Sequence, residues 1–154
     1  MDILVHAAGA LGKLTPVGHI LPADWATVIG VNLDAALRLI RSCDPLLRQA
    51  PAGRAVFLTS RAGGKAPGYR GPYAASKAAL ETLVQVWAKE VVNTTPIRIN
   101  LFDPGPTRTK LRASVMPGED PETLPTPDQA AELLLPLCLP SFTETGKLFD
   151  GPSR

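Results

Sequence analysis

The chain has 154 residues, 45% apolar and 19% charged, a make-up that fits one globular domain over 1–154 and excludes a disordered or fibrous polypeptide. Its net charge of +2 comes from bases scattered between Lys13 and Arg154, with no Lys/Arg run and no basic–aromatic interleaving, so no nucleic-acid surface is expected. The longest apolar run, ELLLPLCLP, is broken by proline and too short to span a bilayer. No signal peptide is visible, and Cys43 and Cys138 lack CxxC spacing. The expectation is therefore a cytoplasmic protein with reduced thiols, no membrane partner and no metal site.

In chain order, DILVHAAG (residues 2–9) is an apolar run closed by small residues, the pattern of a strand buried on both faces. The stretch 24–50 carries Val28, Val31, Ala35, Leu39 and Cys43 at helical spacing, which predicts a long helix punctuated near its end by Pro45. RAVFLTS (54–60) reads as the next buried strand, followed by the glycine-rich RAGGKAPGYRGP. A second long helix is expected from about Pro72 to Val92, with Pro72 in its first turn. PIRINLFDPG predicts a third strand, TPDQAAELLLPLCL a third helix with Thr126 as N-cap, and GKLFDG a short last strand. Strands alternating with helices imply a parallel sheet covered on both faces, with ligands at the carboxyl ends of the strands. The residues that follow each strand, 8–12, 59–64 and 103–109, are thus the candidates for chemistry.

Tyr73 and Lys77 lie four residues apart and share one helix face. A free phenol titrates near pH 10, and a neighbouring ammonium is expected to lower that value toward useful acid/base range. Two polar groups on a solvated helix is the plainer alternative. Ser60 ends the preceding strand thirteen residues earlier. Its hydroxyl can either hold a substrate oxygen or satisfy local backbone. Asn32 interrupts an apolar stretch of helix, as a buried relay or as an amide bonded within the core.

Taken together, these residues resemble the classical short-chain dehydrogenase/reductase family, whose catalytic set is Asn, Ser, Tyr and Lys. The match falls on Asn32 in GVNLDAAL, Ser60 in VFLTS, and Tyr73 and Lys77 in YAASKAAL. DPGPTRT resembles the PGxxxT loop of that family, through Pro104, Gly105, Thr107 and Thr109, and HAAGALG resembles its NNAG element, keeping Ala8 and Gly9. The resemblance implies a partial Rossmann-type, doubly wound parallel sheet corresponding to strands four to seven. It implies NAD or NADP as cofactor and a small alcohol or carbonyl as substrate. Tyr73 would be the acid/base, Lys77 would lower its pKa and hold the nicotinamide ribose, Ser60 would orient the substrate oxygen, and Asn32 would hold a relay water. Ala8, Gly9, Tyr73, Lys77, Pro104, Gly105, Thr107 and Thr109 would line the cofactor, and residues 107–126 would form a mobile lid. A homo-oligomer is expected through the Asn32 and Tyr73 helices, because Ala74, Ala75, Ala78, Ala79, Leu83, Val86 and Trp87 give more apolar surface than one sheet face needs.

The sequence departs from the family pattern at His6 and Ala7, which replace two asparagines, and at Asp103, where asparagine is usual. It also contains no TGxxxGxG turn, the element whose backbone amides cradle a pyrophosphate. The expectation is an N-terminally truncated family member whose first strand is an open edge and which binds cofactor weakly on its own. The alternative is a non-catalytic remnant serving as a binding or oligomerisation module.

Overall fold

The structure, a computed structural model, describes residues 1–151; residues 152–154 of the expected domain lie outside the described residues. Four strands, β1 (Ile3–His6), β2 (Arg54–Leu58), β3 (Arg98–Asp103) and β4 (Leu148–Asp150), pair in parallel in the order β1-β2-β3-β4. The helices are α1 (Pro22–Ile29), α2 (Ala35–Arg48), α3 (Ala62–Lys65), α4 (Gly71–Val91), α5 (Lys110–Val115) and α6 (Pro127–Leu134).

Strand β2 shows why the sheet needs cover on both sides. Ala55 and Phe57 point into a core built with Ala36, Ile40 and Leu47 of α2 and Leu80, Val84 and Trp87 of α4. Val56 points the other way, into a second core with Phe102, Leu134, Leu137 and Cys138. Alternate side chains thus reach opposite faces, as the two-residue strand period requires. Helix α6 opens on the expected cap: the Thr126 hydroxyl accepts from the Gln129 N–H while the Gln129 side chain accepts from the Thr126 N–H. Buried Arg54 ties the start of β2 to the segment after α6, donating to the carbonyls of Leu139, Pro140 and Phe142 at 2.7–3.0 Å.

Three expectations are corrected. Strand β1 is not buried on both faces: Leu4 and His6 point inward, whereas Ile3 and Val5 are 49% and 44% exposed. It is the edge strand that the truncation reading expects, and the second core, which packs on β2, β3 and Phe149 of β4, contains no residue of β1. The buried stripe of the first long helix is Val28, Asn32, Ala36, Ile40, Cys43 and Leu47 rather than Val28, Val31, Ala35, Leu39 and Cys43. The cause is a π-helical turn, Gly30–Asp34, between α1 and α2. Three successive four-residue steps drift by about 120° on a regular α-helix. The wide turn absorbs one extra residue and keeps all these positions facing inward. Trp87, finally, is not surplus surface on α4. It is buried against Phe57, and its Nε1 donates to Asp44 Oδ1 at 2.9 Å.

Candidate active site

The carboxyl ends of β1, β2 and β3 and the first two turns of α4 enclose a cleft of about 620 Å³. Pro72 stands in the first turn of α4, where its missing N–H costs nothing, and the alanine-rich sequence carries the helix on. This puts Tyr73 and Lys77 on the cleft wall opposite Ser60, and Gly9, Pro104, Gly105, Thr107 and Thr109 line the same space. Gly105 turns the chain after β3 with a φ of +71°, a conformation that favours glycine. Thr109 caps α5, accepting from the Arg112 N–H at 3.1 Å. Gly9 would carry a side chain toward Asn32 Oδ1 and Lys77 Nζ, each 3.8 Å away. Ala8 and Asn32 do not line the cleft.

Asn32 lies fully buried behind the wall. Its Nδ2 donates to Ala10 O and to Ser76 Oγ, both at 2.9 Å, and its Oδ1 accepts from Ala10 N at 2.7 Å. Ser76 in turn donates to Tyr73 O at 2.8 Å. Both side-chain donors are therefore spent within the protein, and this amide joins the loop after β1 to the helix that carries Tyr73.

The electrostatics differ from the expectation at one point. Burial pushes the Tyr73 phenol above its ordinary pKa, and the Asp103 carboxylate adds to the effect. The Ser60 hydroxyl and the charge of Arg70 oppose it. Lys77 Nζ donates to Leu58 O at 2.8 Å and sits over the phenol ring, 5.9 Å from its centroid. The i,i+4 spacing brings the two residues together, but the ammonium is aimed at the strand carbonyl. Lys77 itself is only 4% exposed, and burial brings its pKa down to about 8 against the opposing pull of Asp103 and Glu81. At pH 7 it is still an ammonium.

Asp103 and Arg61 also line the cleft, and neither is among the site residues expected from the sequence. The Asp103 carboxylate, almost fully buried, accepts from Arg61 N at 2.7 Å and from Gly105 N at 2.9 Å. Arg61 reaches both Asp103 and Asp150, at 3.6 and 3.7 Å. The carboxylate thus fastens the loop that follows β2 to the turn that follows β3. An acidic residue replacing asparagine at a strand's carboxyl end was the available signal. His6 is buried against Phe57, held neutral by burial and by the Lys77 charge, and its Nε2 has no hydrogen-bond partner among the described residues.

A parallel sheet with helices on both faces and a serine, tyrosine and lysine converging at its carboxyl edge defines a Rossmann-type α/β protein with a polar cleft at that edge. The model for short chain dehydrogenases matches residues 1–120, and the chain belongs to that family. It is 40% identical over its whole length to YciK, an uncharacterized oxidoreductase of Escherichia coli K12, covering 61% of that protein. A short chain dehydrogenase structure from Salmonella enterica serovar Typhi superposes on 97% of the chain with a TM-score of 0.92 at 40% identity. Another from Shigella flexneri, complexed with NADP, superposes with a TM-score of 0.91 at 39% identity. The chain covers 62% of each of these two structures, so it spans about three fifths of the relatives it matches. No described helix is long and apolar enough to cross a membrane.

Proposed function

We propose that the chain forms the catalytic portion of an NAD(P)-dependent oxidoreductase that interconverts an alcohol and a carbonyl, with Tyr73 as general acid/base. The observation that carries this reading is the convergence of Ser60, Tyr73 and Lys77 on one cleft at the carboxyl edge of the sheet, with Tyr73 and Lys77 on the same helix face. Residues 1–154 would act as one unit.

The residues present suit the nicotinamide end of the cofactor. Gly9 leaves the space in front of Lys77 Nζ open to a ligand, and Pro104, Gly105, Thr107 and Thr109 offer small and hydroxyl-bearing walls on the opposite side. The NADP complex of the Shigella flexneri relative supports the same class of cofactor. The nicotinamide supplies or accepts the hydride. Tyr73, kept protonated by its buried setting, gives its proton to the substrate oxygen in the carbonyl-to-alcohol direction, and Ser60 Oγ steadies that oxygen. Lys77, an ammonium at neutral pH, adds positive charge next to the ring and offers its donors to the ribose. Asn32 acts from behind, fixing the loop after β1 against α4.

We also propose a homo-oligomer through the Asn32 and Tyr73 helices, supported by the exposed apolar side chains of Leu37 on α2 and Val86 on α4. A cytoplasmic setting is supported by Cys43 and Cys138, both buried and unpaired.

Tyr73→Phe tests the assignment. Loss of the phenolic proton should lower turnover of a carbonyl substrate by about 10²–10⁴-fold while NADP(H) binding is kept. Turnover within about tenfold of wild type would place the acid/base role elsewhere.

A further inference from the structure

We propose that the cleft takes a carbonyl substrate carrying an anionic oxygen group, a carboxylate or phosphate, and that Arg70 anchors it. The proposal rests on the oxidoreductase reading above and adds the substrate class.

Six charged side chains line the cleft: Arg61, Lys65, Arg70, Lys77 and Arg112 are basic, and Asp103 alone is acidic. Most of these are already engaged. Arg61 is held by Asp103 and Asp150, Arg112 forms a two-pronged pair with Glu119 at 2.6 and 2.7 Å, and Lys77 donates to Leu58 O. Asp103 spends its oxygens on Arg61 N and Gly105 N. Arg70 has no ion pair or side-chain hydrogen bond among the described residues. The cleft therefore keeps uncompensated positive charge beside the acid/base group, and such a cleft concentrates anions.

The backbone is built to deliver this arginine. Tyr69, immediately before it, adopts a φ of +65°, a left-handed conformation that is costly for a residue other than glycine. Packing of the Tyr69 side chain does not explain that cost, since it is 65% exposed. The main chain holds the conformation instead: Thr15 N donates to Tyr69 O at 3.1 Å, and Thr15 and Arg70 form an isolated β-bridge. The guanidinium so positioned is close enough to act on the Tyr73 phenol electrostatically. A planar guanidinium with free donors suits a carboxylate or phosphate in two-point contact.

A phosphate of the cofactor could supply the same chemistry. The substrate is favoured because Arg70 belongs to the segment between Ser60 and Tyr73, the two groups that meet the reacting oxygen. The candidate cofactor residues come instead from the segments after β1 and β3 and from Tyr73 and Lys77 on α4, none of them from the 61–70 loop.

The test compares wild type with Arg70→Gln and Arg70→Lys on two matched pairs of probes: 4-carboxybenzaldehyde with its methyl ester, and succinic semialdehyde with butanal. Wild type should favour the acid of each pair in kcat/KM by about tenfold or more. Arg70→Gln should cut the acid-over-neutral preference by about tenfold to a hundredfold, the usual cost of a lost charged hydrogen bond, with NADPH affinity unchanged; its effect through the Tyr73 pKa falls on both members of a pair and cancels in that ratio. Arg70→Lys should keep part of the preference. Equal use of acid and neutral probes by wild type overturns the proposal, and so does a loss in Arg70→Gln that falls equally on NADPH binding. If no probe is turned over, equilibrium binding of 4-carboxybenzoate decides: tenfold weaker binding by Arg70→Gln upholds the anion site while the oxidoreductase reading fails, and equal binding by the two proteins overturns the site.

Discussion

Replacing Lys77 with methionine tests the electrostatics of the cleft while keeping much of the side chain's shape. The unfolded chain holds this proton up to its ordinary value of 10.5, whereas the folded protein holds it only up to about 8. Between those values the unfolded state binds more protons, so stability rises with pH across that window; below about 8 the buried ammonium imposes its full cost. A depression from 10.5 to about 8, at about 1.4 kcal/mol per unit, makes that cost roughly 3 kcal/mol. Lys77→Met removes the titration. It also removes the hydrogen bond to Leu58 O, a loss of about 1 kcal/mol that does not vary with pH. Urea unfolding of both proteins, followed by circular dichroism from pH 7 to pH 10.5, separates the two effects. The stability of wild type relative to Lys77→Met should climb by roughly 3 kcal/mol over that range, nearly all of it above pH 8. A difference that stays flat would refute the reasoning, because it would mean that the lysine keeps its ordinary pKa in the folded protein.

Two further substitutions address the groups around the catalytic helix. Asp103→Asn removes a charge that raises both the Tyr73 and Lys77 pKa values, so the alkaline limb of the pH profile of kcat/KM for carbonyl reduction, where these two groups lose their protons, should move to lower pH; reduced activity with an unmoved profile would leave Asp103 a merely structural clamp. Asn32→Ala removes the partner of the part-buried Ala10 N–H and C=O and should cost about 1–3 kcal/mol in denaturant unfolding, with an unchanged midpoint refuting its role as a strut.

The legible part of this protein is the part carried by short-range pattern. Thr126 and Gln129 stand three residues apart and form the capping box, Pro72 marks the first turn of α4, and the Tyr73/Lys77 spacing puts both side chains into one cleft. A spacing gives proximity, however, and not aim. The carbonyl that takes the Lys77 ammonium belongs to Leu58, nineteen residues upstream, and no helical pattern announces it. The π-turn was hidden for a related reason: one extra residue in a helix shifts every later position by about 100°, so the stripe of Val31, Ala35 and Leu39 looked regular while the buried face passed through Asn32, Ala36 and Ile40. Strand β1 was misread because apolar content reports what a strand can bury, whereas its cover depends on which neighbours reach it.

The least legible feature was the coupling between loops, and it bears most directly on the proposed chemistry. Arg61 and Asp103 are 42 residues apart, and neither belongs to a repeating pattern. Yet parallel pairing of β2 with β3 brings their carboxyl ends side by side, and a buried carboxylate there can accept from the backbone of both loops at once. An asparagine at 103 has one acceptor oxygen, and its amide nitrogen would face the N–H of Arg61 or Gly105. The aspartate therefore satisfies two backbone donors that the amide cannot, and the same negative charge raises the pKa of both Tyr73 and Lys77. Loop geometry and proton affinity in this cleft thus share one residue, which adds to the effect of burial on Tyr73 and opposes it on Lys77, so a substitution of Asp103 changes both.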